Sequence, residues 1–167
     1  MHFEDASVGF VITSAFQVYK TTNKGKTWST LAWSGFTPPS GVNATSVCLN
    51  ASGTGIFGAD NGKIYLRDAS GAVTQPYTAG SSIKQVHYYR DATNNSDFYL
   101  LLDAGSTLAG FNGSTRSAIS SPANIISFHF KNTAVGTGAL NQSGGDIIQA
   151  TFTTGSTVIN TTSFSSI

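Results

Sequence analysis

Residues 86–88 read Val86-His87-Tyr88, one polar residue between two apolar ones. The pattern returns as Met1-His2-Phe3, Val47-Cys48-Leu49 and Phe128-His129-Phe130. The central residues lie 46, 39 and 42 positions apart. A second marker recurs out of phase with the first. Gly25, Gly71, Gly113 and Gly155 sit in polar turns separated by 46, 42 and 42 positions. Two independent markers with nearly one period predict an array of four similar units.

Between the markers, Val, Ile, Thr, Phe and Tyr alternate with Gly/Asn/Ser clusters, the pattern of short strands closed by turns. The first unit reads as strands over 1–4, 9–13, 17–21 and 27–33. The second reads as 45–49, 55–58, 63–67 and 72–76, and the third as 84–89, 97–102, 107–111 and 116–120. The fourth reads as 125–130, 136–140, 147–152 and 157–162. Proline cannot donate to a ladder, so Pro38, Pro39 and Pro122 mark connections between units. Four strands per unit of about 40 residues is the period of a propeller blade. The expected fold is all-β, a four-bladed β-propeller-like array of four-stranded antiparallel sheets. It forms one domain over 1–167, with blades near 1–42, 43–83, 84–123 and 124–167. A lone sheet has two apolar faces and stacking buries both. The ring then closes either by side-chain packing or through another copy of the chain.

Composition narrows the function classes. Only 10% of the 167 residues are charged, against an average of roughly 25%. Ser (22), Thr (21) and Asn (11) must therefore supply most of the polar surface. The net charge of +1 offers no basic footprint for nucleic acid. No run of about 18 apolar residues predicts membrane insertion. The N-terminal MHFEDASVGF lacks the layout of a signal peptide. One cysteine, Cys48, excludes an internal disulfide framework.

The segment Thr21-Thr22-Asn23-Lys24-Gly25-Lys26-Thr27-Trp28 resembles the Asp-box turn of BNR repeats, with Asn23 in place of aspartate. Its surroundings, 2–28, are similar to a blade of the photosystem II assembly factor/sialidase-like propellers. The other units keep only the glycine and the hairpin. The resemblance implies a propeller fold and a structural turn built by Thr21, Asn23, Gly25, Thr27 and Trp28. The Asx side chain bonds the backbone there and glycine takes the positive φ. Trp28 is expected to pack back into the blade. The resemblance implies no activity.

Sialidases of this superfamily use three arginines on the substrate carboxylate and a Tyr–Glu pair. Here Arg67, Arg90 and Arg116 fall at unrelated repeat positions, and Glu4 is the one glutamate. Glycosidase chemistry is therefore not expected. The repeat aligns His2, Cys48, His87 and His129 on the first strand of each unit. If those strands line the axis, three imidazoles and a thiol are adequate for zinc or another transition metal. The competing reading places these side chains between blades as packing. That reading is preferred, because repeat copies share residues without sharing function, so no cofactor is expected. Among the aromatics, Trp33 near a loop is the candidate for an exposed ligand-binding residue.

The expected role is a non-enzymatic structural or recognition module, a tail- or capsid-associated phage virion protein. It would sit in a virion or outside the cell, as a homo-oligomer. Its partners would be other virion or surface proteins, or glycans. One alternative is a monomeric extracellular or assembly-factor-like propeller binding protein or glycan. Another is a metal-binding or glycosidase propeller.

Overall fold

The computed structural model describes residues 1–90, 97–104, 108–113, 116–118, 125–130, 135–142, 147–153 and 159–164. Among these described residues sixteen strands form four sheets, each a four-stranded antiparallel meander in chain order. The first sheet holds β1 (His2–Phe3), β2 (Gly9–Ile12), β3 (Val18–Thr21) and β4 (Ser29–Leu31). The second holds β5 (Ala44–Leu49), β6 (Gly55–Ala59), β7 (Lys63–Arg67) and β8 (Val73–Thr78). The third holds β9 (Ile83–Arg90), β10 (Asp97–Asp103), β11 (Leu108–Phe111) and β12 (Arg116–Ala118). The fourth holds β13 (Ile125–Phe130), β14 (Val135–Gln142), β15 (Ile147–Thr153) and β16 (Ile159–Phe164). The first strands β1, β5, β9 and β13 are neighbours in succession across the sheets. The array is propeller-like, and each unit begins at its inner edge.

The turn glycines explain why the hairpins close where they do. Gly25, Gly71 and Gly113 have φ of 81°, 90° and 95°, a region other residues enter at a cost. Gly155 lies outside the described residues. β8 is among the strands that run further than the sequence suggests. Pro76 was expected to end a strand but lies inside β8, where the register slips between Ile64 and Leu66. β8 is the last strand of its sheet, and an edge bulge is where proline is tolerated.

The second sheet shows why stacking is needed. Side chains alternate across it. Val47, Leu49, Phe57, Ala59 and Tyr65 join Phe10, Phe16 and Val18 of the first unit in one core. Cys48, Ile56 and Ile64 join Val86, Tyr88, Leu101 and Phe111 of the third in another. Burying each large apolar side chain contributes roughly 1.5–3 kcal/mol, so neither face is stable uncovered. The first core is aromatic: Phe57 stacks on Tyr65 at 4.9 Å, and Phe16 meets Phe36, Phe57 and Tyr65 edge-on. Phe16 sits at φ 61°, an unusual conformation for a bulky residue, held by these contacts.

Candidate functional site

The inner strands face each other with their edges, and an edge strand has unpaired backbone N–H groups. Side chains of the preceding blade supply the acceptors. Val86 N–H donates to Ser46 Oγ at 3.0 Å, and Tyr88 N–H donates to Cys48 Sγ at 3.2 Å. Phe128 N–H donates to Gln85 Oε1 at 3.0 Å, while Gln85 Nε2 donates to the Phe128 carbonyl at 2.5 Å. Three polar residues of the apolar–polar–apolar marker therefore stand in the same frame. His2 pairs with Phe10, Cys48 with Ile56 and His87 with Leu100. His129 takes the same register position opposite Ala139, and its side chain lies outside the described residues.

The structure brings His2, Cys48 and His87 together. Their ligand atoms, a ring nitrogen from each imidazole and Sγ, all lie within 4.8 Å of one another. Cys48 Sγ is 3.8 Å from His87 Nδ1, and the two imidazoles meet edge-on at 6.1 Å. Cys48 and His87 are buried. His2 Nε2 is shielded from water, makes no hydrogen bond and lies 3.6 Å from Glu4 Oε2. Burial pushes the Cys48 thiol up to about 12, partly offset by the Tyr88 N–H it accepts. Without a metal it is a neutral thiol. A cleft of about 220 Å³ opens beside the cluster, lined among others by Met1, Ser46, Gln85 and Phe128.

The remaining candidates fall elsewhere. Trp33, expected near an open loop, is half-buried: its indole N–H donates to the Phe16 carbonyl at 2.8 Å and its ring packs on Phe36 and Phe57. Phe16 and Phe57 are distant in sequence, which hid the burial. Trp28 is the more exposed tryptophan. It packs on Phe3 at 6.3 Å, stays 37% exposed and donates Nε1–H to the Gly25 carbonyl. Around it, Asn23 Oδ1 accepts the Thr27 N–H at 2.9 Å, Thr21 Oγ accepts the Gly25 N–H, and Asn23 Nδ2 donates to Thr27 Oγ.

Of the three arginines, Arg67 is buried and tied to three carbonyls: Gly53, Asp68 and Ala32, at 2.8, 3.0 and 2.9 Å. It also lies over the Trp33 ring. Only its flanking Gly53 and Gly71 turns could have signalled this pinning role in the sequence. The Arg90 and Arg116 side chains lie outside the described residues. Asp5 and Asp68 each hold a turn, and Asp60 ties the β6–β7 turn to Asn43 ahead of β5. Asp5 accepts the Ser7 and Val8 N–H groups, Asp60 accepts from Asn43, and Asp68 accepts from Ser70 and Ala72. Those bonds hold all three carboxyls below the ordinary value.

The sequence matches no family model and no curated protein. Solved structures do resemble it. One is YCF48 bound to D1 peptide, with a TM-score of 0.61 at 14% identity over 95% of this chain and 52% of that one. Another is the WD40 domain of SCAP from fission yeast, with a TM-score of 0.61 at 6% identity over 100% of this chain and 41% of that one. The chain thus spans about half the length of these neighbours or less. At such identities the likeness shows the fold: a β-propeller-type arrangement.

Proposed function

We propose that the protein is a non-enzymatic structural and recognition module that docks through the open face of its first blade. The observation carrying this is the Phe3–Trp28 pair. Phe10 faces the second sheet, so its neighbour Gly9 faces the other way. The Phe3 ring lies across Gly9, where a Cβ would come within 2.7 Å of it. Phe3 and Trp28 therefore cover the face where a preceding blade would sit, and both remain exposed, at 41% and 37%. An aromatic pair on a blade face is a surface made for another sheet. In this reading the occupant is a second copy of this chain, as in a symmetric assembly. The turn at 21–28 is read as an Asp-box, a structural element of the same blade. A tail- or capsid-associated place in a phage virion accords with the low charge and the Ser/Thr/Asn-rich surface. The peptide held by YCF48 supports a protein partner over a glycan.

Native mass spectrometry of the full chain tests this. The expected result is a closed homo-oligomer that falls to monomer in the Phe3→Ser/Trp28→Ser double variant. A monomeric wild type overturns the assembly reading. Turnover on a panel of sialosides and glycosides overturns the non-enzymatic one.

A further inference from the structure

We propose that His2, Cys48 and His87 bind a single zinc ion through two imidazoles and one thiolate at the axis of the array. Tetrahedral zinc, with Zn–N of about 2.0–2.1 Å and Zn–S of about 2.3 Å, sets its ligand atoms about 3.3–3.6 Å apart. Cys48 Sγ and His87 Nδ1 already stand at 3.8 Å, and all three ligand atoms lie within 4.8 Å. Closing the remaining distance takes a movement of about 1 Å, within the reach of side-chain torsions. Nitrogen and sulfur donors select zinc over magnesium or calcium, which require oxygen.

The surroundings fit a metal as well as the donors do. With His2 ligating through Nδ1, Glu4, 3.6 Å from Nε2, would be the acidic partner that ligating imidazoles commonly carry. The adjoining cleft gives an entry path and room for a fourth ligand, water or a partner's side chain. On binding, the Cys48 proton passes to solvent. The three ligands come from three sheets, so the ion would join the inner edges of three blades. This inference is independent of how copies of the chain assemble.

The competing role for Cys48 is to accept the Tyr88 N–H and nothing more. Cys48→Ser separates the two, because serine keeps an acceptor while losing the soft donor. The experiment strips the full chain with a chelator and titrates it with Zn²⁺ and then Co²⁺. The expected result is one ion per chain, with a sulfur-to-cobalt charge-transfer band. Cys48→Ser should abolish that band and weaken zinc at least about 100-fold, and His2→Asn should weaken zinc at least about 10-fold. Absence of saturable zinc uptake, or unchanged cobalt spectrum and zinc affinity in Cys48→Ser, overturns the proposal. Should Cys48→Ser not fold, unchanged zinc affinity in His2→Asn overturns it instead.

Discussion

The hairpin rim and the axis use polar residues in opposite ways. At the rim several turn side chains bond within a few residues of themselves. Asn50 accepts from Ser52 and Thr54, Asp68 from Ser70 and Ala72, and Asn23 from Thr27. At the axis the partners are about 40 residues away: Ser46 with Val86, Cys48 with Tyr88, Gln85 with Phe128. Local bonding closes a turn and leaves little for a ligand. Convergence from distant positions brings together groups that no single hairpin needs. Polar residues in the first setting are scaffolding, and those in the second are where chemistry belongs.

The sharpest challenge to that contrast is Arg67, which sits near the rim yet joins two units. Arg67→Met keeps the stem but leaves the carbonyls of Gly53, Asp68 and Ala32 without their donor. The expected loss is about 3 kcal/mol, read as a lower urea midpoint with an unchanged slope. A loss under about 1 kcal/mol would mean that water replaces the guanidinium freely.

A purely local turn should cost less. Asn23→Ala removes the acceptor of the Thr27 N–H and should destabilise by about 1 kcal/mol, as loss of a cap does. Asn23→Asp keeps that acceptor, and the Thr27 hydroxyl can turn to donate. Its stability, read from the thermal midpoint, should stay within about 0.5 kcal/mol of wild type. A large loss in Asn23→Asp would separate this turn from the Asp-box it resembles.

The smallest effect is on pH. Asp5, Asp60 and Asp68 have folded values below the ordinary carboxylate. Their contribution is present above the unfolded value near 3.9 and is lost as pH falls through the lower folded values. The thermal midpoint should fall below about pH 4. That fall should be shallower when all three are replaced by asparagine. Equal slopes would show that these turns do not depend on charge.

Most of the fold is legible in the sequence because its punctuation is local. β7 and β13 begin and end where the strand pattern places them, and at β7 the reason is that Gly62 and Asp68 act on their own turns. Pro76 misleads for a reason sequence cannot carry. Whether a proline breaks a strand depends on whether that strand has a neighbour on its far side. Trp33 is opaque for the same kind of reason: its burial is decided by Phe16 across its own unit and by Phe57 and Arg67, which the stacking of units brings to it. The axial residues are half legible. The repeat gives their common register, but the distances among them follow from the angle between blades, which no single strand encodes.

The acceptors on β5 and β9 have a consequence for how the molecule is made. The second and third units present groups that the next unit's first strand requires, so Ser46 and Cys48 precede β9, and Gln85 precedes Phe128. A chain leaving the ribosome therefore lays down each docking edge before the strand that will use it. Vectorial synthesis and the direction of docking coincide, and a duplicated unit would arrive already carrying the means to receive its successor.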